Sequence, residues 1–545
     1  MSGHLPGDAP AAPPTSGVAG PGRPAPAGRA GVPEEAAPSL VGRAHVDREE
    51  RHRVVIVGSG VGGSVAAFRL AEAGVDNVVL ERGRRWPVTP AGDTFPAFPS
   101  TDRRLVWLDG DSSPVPPSHG PLMSRLRRAV SAAFPRSTGL MEVVAQENAV
   151  IVCGAGVGGG TLVYGGVLVQ PRPGPFQRLF PPELDYEELD HVHYPRARRR
   201  LAASPFPDDL LVRGPYRANR LWSVAAKRSG LPSETVVGTY DFDAVREELD
   251  GRRRASFAVG QYHFTGCNSG AKLSVDRTYL ARAEATGRTS VRPLHRVTRV
   301  AQEAGGGYRV TAERLDEHGT VVERLAFVCD RLVLAAGVQT PRLLVTARET
   351  GDLPRLHESV GGGWGSNGDR VTLLRTPSPP VGAPQGGPPA ILVRNREGTA
   401  TVMPSPLPLP VGPGLLACLG MGVSDRCGRW VPTRGGGTRL DWAAENDATS
   451  WRAVDDLVRQ VARHFPVETA PMPARPSLPL VAHPVGGAVL GTSTDAYGRL
   501  HGHRGLYCLD GALMPGSTAA VNPALTIAAV VERCLDHITA DFTTV

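Results

Sequence analysis

The run Arg53-Val-Val-Ile-Val57, followed by Gly58-Ser-Gly60-Val-Gly62-Gly63, constrains this chain more than any other feature. Four successive β-branched residues suit a parallel strand buried on both faces. The glycines then permit what side chains forbid. Gly58 allows a tight turn, Gly60 a close approach of backbone to a pyrophosphate, and Gly63 close packing of helix on strand. Ser64 to Ala73 reads as a helix stopped by Gly74, and Asn77-Val-Val-Leu-Glu81 as a second strand. The result is a βαβ unit whose helix N-terminus faces a bound phosphate. Glu81 ends the second strand, where a carboxylate accepts hydrogen bonds from ribose hydroxyls. Together these features point to a bound dinucleotide.

A second glycine run follows the apolar stretch Asn148 to Cys153 and reads Gly154-Ala-Gly156-Val-Gly158-Gly159-Gly160-Thr-Leu-Val-Tyr164-Gly165-Gly166. It fails as a second dinucleotide fingerprint. Its sequel is Gln170-Pro-Arg-Pro-Gly-Pro175, not a strand with an acidic end. We read it as an extended, non-helical glycine loop lying against a flat ring system. Near the C-terminus, Val481-Ala-His483-Pro-Val-Gly-Gly487 sets a histidine beside a glycine turn. Leu506 to Asp510 reads as a strand ending in Asp510-Gly511, and Asn522-Pro523 opens a helix from Ala524 to His537. Asn before Pro is by itself a good helix start, so capping alone explains Asn522. A satisfied structural imidazole likewise explains His483. Their shared setting among glycine loops favours a functional role for both.

Composition narrows the class. The chain of 545 residues is 41% hydrophobic with a net charge of +7, which excludes disorder throughout. The 65 Gly and 51 Pro follow no fixed period, which excludes a collagen-like chain. The positive charge is almost all Arg, with no basic tract interleaved with aromatics, so no nucleic-acid partner is expected. Seven Cys without a CxxC indicate neither a zinc site nor a disulfide framework, and no metal is expected. The uncharged stretches 148–170 and 511–531 have the length of membrane spans. Their glycines and prolines make them loops instead. No export signal is visible, which suggests a cytoplasmic location. Residues 1–45 are a Pro/Ala/Gly-rich disordered tail. Residues 171–260 read as loop- and charge-rich, and 290–336 as a meander of short strands.

Taken together, GSGVGG with Glu81, Val157 to Gly166, Gly270-Ala-Lys-Leu-Ser-Val-Asp276, Leu334 to Leu344, Val360 to Gly368, His483 to Arg499 and Leu509 to Pro523 resemble the glucose–methanol–choline (GMC) oxidoreductase superfamily. The resemblance is strongest to its bacterial cholesterol oxidase branch and spans residues 50 to 540. It implies an α/β fold with an α+β substrate part: a Rossmann-like domain holding non-covalent FAD, and a discontinuous substrate-binding domain. The FAD domain is expected at 50–90, 145–170, 262–368 and 478–545, and the substrate domain at 91–144, 171–261 and 369–477.

Carried onto this chain, the resemblance assigns the pyrophosphate turn to Gly58, Gly60, Val61, Gly62 and Gly63, and the adenosine ribose to Glu81. Gly160, Tyr164, Gly165 and Val167 line the flavin, and Val297 pairs its backbone with adenine. Asp510 and Gly511 approach the ribityl chain and phosphates, the helix from Ala524 faces the flavin pyrimidine, and His483 and Asn522 form the catalytic pair. The implied activity is oxidation of a secondary alcohol of an apolar, steroid-like molecule to a ketone, by a monomer with oxygen or another electron acceptor and a transient membrane contact to extract substrate. Alternatives are a GMC-type enzyme tailoring a polyketide or other natural product, and an FAD ketosteroid dehydrogenase. The branch's isomerising carboxylate falls in a segment matching Val402 to Gly412, which contains neither Glu nor Asp. Efficient isomerisation is therefore not expected.

Overall fold

In the computed structural model, residues 46–108, 136–376, 380–406, 414–466, 470–473 and 480–543 are described. The tail 1–45 and positions 407–412 of the segment lacking a carboxylate lie outside them. The first strand, β1 (Arg48–Val57), begins five residues before the apolar run and leads through the glycine turn into α1 (Val61–Glu72) and β2 (Asn77–Leu80). A hairpin, β3 (Met141–Ala145) and β4 (Val150–Gly154), follows. Next come helices α2 (Pro173–Leu179), α3 (Tyr194–Arg200) and α4 (Arg217–Ser229), strand β5 (Ser233–Thr235), and helices α5 (Phe242–Leu249) and α6 (Tyr279–Ala285).

The expected meander is β6 (Thr289–Arg292), β7 (His295–Gln302), β8 (Tyr308–Leu315) and β9 (Val321–Leu334), followed by α7 (Gln339–Glu349). The remainder comprises β10 (Arg370–Arg375), β11 (Ile391–Arg394), β12 (Ala400–Pro404), β13 (Leu415–Gly422), α8 (Ala448–Ala462), β14 (Ala470–Pro473), β15 (Leu480–Val481), β16 (Leu506–Cys508) and α9 (Pro523–Thr543).

Two sheets organise these elements. The first runs β6-β2-β1-β9-β8-β7, with β16 also paired to β9. Strand β9 belongs to two layouts at once. Its Leu325–Leu334 stretch lies parallel to β1 on one side, while its Val321–Cys329 part pairs antiparallel with β8 on the other. The fully buried Val54, Val55 and Ile56 meet Leu332, Val333 and Leu334 in one core. A Cβ on Gly62 would stand 1.8 Å from the Leu509 carbonyl oxygen, and one on Gly63 2.0 Å from that of Gly58. Only glycine lets α1 approach that closely. The second sheet is antiparallel, in the order β14-β10-β13-β12-β11-β5. Helix α8 covers it with Val454, Leu457, Val458 and Val461, which lie on one helical face.

Two expectations need correction. Residues 171–260 are not mainly loop: α2 to α5 occupy much of the segment. The buried stripe of α4 is Ala218, Trp222, Ala225 and Ala226, whose small alanines weaken the apolar period beneath an Arg- and Lys-rich outer face. Asp241 caps α5 by accepting from the Asp243 and Ala244 amides. The stretch 148–170 contains β4 and then a single 3₁₀ turn, Gly159–Leu162, where no helix was expected. Gly158 and Gly159, at φ +112° and +55°, supply the left-handed backbone that starts this turn. The stretch 511–531 is a 3₁₀ turn at Gly511–Leu513, then loop, then the start of α9. No helix among the described residues is long and apolar enough to cross a membrane.

Candidate active site

The two glycine runs meet backbone to backbone: a Cβ on Gly159 would lie 2.8 Å from the Cα of Gly60. Ser59, which the sequence reading passed over, joins them. Its buried hydroxyl donates to Glu81 Oε2 at 2.7 Å and accepts from the Gly158 amide at 3.0 Å. Beside this junction lies a cavity of about 1060 Å³. Gly58, Gly60, Val61, Gly62, Glu81, Gly160, Tyr164, Gly165, Val167, Val297, His483, Asp510, Gly511, Asn522 and Ala524 all line it. Gly63 does not; it packs behind, against the Gly58 carbonyl. At Gly60 and Gly160 nothing lies within 4 Å of where a Cβ would project. Such open, side-chain-free backbone fits the phosphates and flat rings of a dinucleotide.

Glu81 is buried, and burial pushes its carboxyl above the usual carboxylate range. Its Oε2 accepts from the Ser59 amide and hydroxyl and its Oε1 from the Gly83 amide at 2.9 Å. That uses three of about four acceptor positions, and one remains for a ribose hydroxyl. Asp510 is also buried. Its carboxylate accepts from Gly337 N at 2.7 Å, Thr340 Oγ1 at 2.6 Å and Ala512 N at 2.8 Å, fixing the turn after β9. Val297 lies at the bulge where β7 changes register against β8.

Tyr164 bonds through its hydroxyl to Thr239 Oγ1 at 2.9 Å. The backbone of its loop is clamped by Lys272, whose Nζ donates to the Leu162 and Tyr164 carbonyls at 2.8 and 3.0 Å. Burial lowers the Lys272 pKa to about 7. Lys272 falls within the quoted GAKLSVD motif, yet only the tertiary structure shows what it holds.

His483 follows β15, which lies parallel to β4 with Val481 opposite Ile151. Its Nδ1 is 2.7 Å from Asp369 Oδ1, and Asp369 Oδ2 accepts from the Ala482 and His483 amides at 2.8 and 3.0 Å. Asp369 directly follows the quoted Val360–Gly368 motif, and the sequence reading did not single it out. Asn522 precedes Pro523 as a cap would, but its Oδ1 is buried without a hydrogen-bond partner among the described residues. Its Nδ2 faces His483 Nε2 at 3.5 Å. The capping explanation therefore fails for this side chain.

Away from the glycine loops, the cavity is lined by Tyr262, His263, Phe264, Met403, Ser405 and Leu419, among others. His263, also missed in the sequence, bonds through Nε2 to the Pro406 carbonyl. Burial pushes its pKa down to about 4.

Comparison with known proteins agrees with this architecture. Residues 442–530 match the family described as GMC oxidoreductase, and residues 56–87 match an NAD(P)-binding Rossmann-like domain. A cholesterol oxidase of Mycobacterium tuberculosis is 25% identical, over 88% of this chain and 90% of its own length. A GMC-type oxidoreductase of uncharacterised function from the same organism is 28% identical, over 90% of this chain and 76% of its own. Among solved structures, pyridoxine 4-oxidase from Mesorbium loti superposes with a TM-score of 0.59 at 15% identity, covering 89% of this chain and 99% of that one. Formate oxidase from Aspergillus oryzae gives 0.58 at 15% identity, covering 91% and 99%. These two establish the fold alone. The strand–glycine–helix unit, the cavity beside it and these relatives make the chain similar to the GMC oxidoreductases and mark it as an FAD-dependent enzyme of the alcohol oxidase/dehydrogenase class.

Proposed function

We propose that this enzyme oxidises a secondary hydroxyl of an apolar, steroid-like molecule to a ketone, with non-covalently held FAD and oxygen as the electron acceptor. The observation that carries the reading is the His483–Asn522 pair. Two side chains far apart in sequence meet at 3.5 Å in the cavity beside the glycine loops. The steroid-like substrate class is supported by the cholesterol oxidase relatives and by the apolar residues Phe264, Met403 and Leu419 in the cavity wall.

When bound, FAD would supply the two-electron acceptor for hydride from the carbinol carbon. His483 Nε2 accepts the hydroxyl proton, a role in which imidazole is the most frequent side chain. Asn522 Nδ2 donates to the substrate oxygen as charge develops there, and its unpartnered Oδ1 remains available to orient substrate or flavin. The N-terminal end of α9, beginning with Pro523 and Ala524, brings its positive dipole end to the same cavity. In this reading the glycine turn and Glu81 hold the ADP half, and Gly160, Tyr164, Gly165 and Val167 hold the flavin. The sheet centred on β1 then belongs to the FAD-binding domain, and the antiparallel sheet under α8 to the substrate domain. Ring desaturation by a tyrosine has less support. Tyr164 is tied to Thr239, and burial raises its pKa further above the ordinary phenol value.

Anaerobic mixing with a panel of 3β-hydroxysteroids and other apolar secondary alcohols tests the proposal. At least one should bleach the flavin and yield a ketone. Bleaching by a 3-ketosteroid with formation of a ring double bond would overturn it. Acid precipitation should leave the FAD in solution, and flavin that stays with the chain would refute non-covalent binding.

A further inference from the structure

We propose that the turn Ser366–Asp369 sets the catalytic pair from both sides, with Asp369 as the positioning residue that fixes the tautomer and aim of His483. The inference rests on the reading of His483 as the base.

The first half of the argument is the Asp369 carboxylate. It accepts three N–H bonds, all from the His483 segment: the Ala482 amide, the His483 amide and ring Nδ1. Its side chain is 2% exposed, so water does not compete for these bonds. A carboxylate can only accept, which places the proton on Nδ1 and leaves the lone pair on Nε2. That lone pair faces Asn522 Nδ2, a donor, so the polarities along Asp369, His483 and Asn522 agree. When the substrate O–H bond breaks, its proton forms a bond to Nε2, and the ring becomes a cation with Nδ1–H still directed at Asp369. The bond to Asp369 strengthens at that moment, which favours the charged form.

The second half is Asn367, two residues earlier in the same turn. Its Nδ2 donates to the Val521 carbonyl at 2.8 Å. Its Oδ1 accepts from the Thr518 amide at 2.8 Å and Ser517 Oγ at 3.1 Å. The segment it grips leads directly into Asn522. Within that segment Ala519 and Ala520 both hold left-handed backbone, at φ +61° and +62°, and both are fully buried. Such residues cost energy and persist only where the surroundings over-determine them. Asn367, the Thr518 hydroxyl bond to Val521 O and the Thr401 hydroxyl bond to Ala520 O do so here. Asn367 and Gly368 are left-handed too, at φ +61° and +67°, which makes the turn tight enough to reach both segments. Hence one turn, clasping the His483 segment with one residue and the Asn522 segment with another, determines the 3.5 Å separation.

The test compares wild type, Asp369→Asn, His483→Ala and the double variant as FAD-loaded enzymes. Single-turnover flavin reduction is followed with whichever alcohol bleaches the wild type. Asp369→Asn should slow the limiting rate by about 10- to 100-fold, the range for a group that orients another. FAD content and substrate dissociation constant should stay within about twofold, a split that a merely structural role would not produce. In the His483→Ala background the same change should have no further effect, because Asp369 acts through the ring. An equal slowing in both backgrounds, or an unchanged rate in the single variant, would overturn the inference. Unimpaired reduction by His483→Ala would instead refute the function reading, so the two failures are distinguishable. If Asp369→Asn does not retain FAD, ¹⁵N-histidine NMR of the wild type decides. The signals lost in His483→Gln should report protonated Nδ1 and bare Nε2, and the opposite tautomer would overturn the proposal.

Discussion

Replacing Asn522 with Ala separates a helix cap from a participant in the reaction. A capping Asn accepts an amide N–H of the first turn through Oδ1, and its loss costs about 1 kcal/mol of stability. Here Oδ1 has no hydrogen-bond partner among the described residues, so truncation removes no capping bond and deletes an unsatisfied buried acceptor. The change in unfolding free energy should therefore stay within about 0.5 kcal/mol. The reaction should suffer far more. Nδ2 faces the base at 3.5 Å, where a substrate oxygen would gather charge. Losing one such pre-aligned donor typically slows chemistry by about 10²–10³-fold, or roughly 2.7–4 kcal/mol of barrier. Anaerobic stopped-flow bleaching of the FAD-loaded variant measures the rate, and thermal unfolding of the same sample measures the stability. A variant that unfolds earlier but reduces its flavin at the wild-type rate would refute the reasoning and restore the cap.

Three other outcomes follow from the same geometry. Glu81→Ala removes the one acceptor position left for a ribose hydroxyl, a charge-assisted bond worth about 1.5–3 kcal/mol. FAD retention in equilibrium dialysis should fall at least about tenfold, and undiminished retention would remove Glu81 from the site. Burial lowers the Lys272 pKa from 10.5 to about 7. Above about pH 7 the unfolded chain therefore carries one more proton there than the folded one, and this contribution to stability rises with pH. Urea midpoints of wild type and Lys272→Met should diverge in favour of wild type from about pH 7 to 9, whereas parallel curves would contradict the shift. A 3β-hydroxy-5-ene steroid should give mainly the unconjugated ketone, because Met403, Pro404 and Ser405 at the cavity wall offer no carboxylate to shuttle a proton. Growth of the conjugated-enone ultraviolet band in step with flavin turnover would show that another group, such as His263, moves that proton.

The strand–glycine–helix unit was legible in the residues alone, for a local reason. Strand, turn and helix in Arg53 to Glu81 are encoded by adjacent residues, and the glycine spacing admits few backbone paths. The same holds for the start of α9 at Asn522-Pro523. All but one of the positions that the resemblance selected line a single cavity. Gly63, which the glycine spacing gave to close helix–strand packing and the resemblance to the pyrophosphate turn, packs against the Gly58 carbonyl. The 3₁₀ turn at Gly159 escaped prediction because glycine carries no helical preference of its own, and its partner surface at Gly60 lies about a hundred residues away.

The pairing of distant polar groups is legible only in the fold. Ser59 meets Gly158, Lys272 meets the Leu162 and Tyr164 carbonyls, and Asp369 meets His483. None of these pairs has a periodicity or spacing to betray it, because a buried polar side chain is specified by the partner it must satisfy and not by its neighbours in the chain. Asn522 illustrates the limit most clearly. Its sequence context is that of a helix cap, and only the fold, by leaving Oδ1 without a partner and turning Nδ2 to His483, shows that the side chain faces the cavity instead.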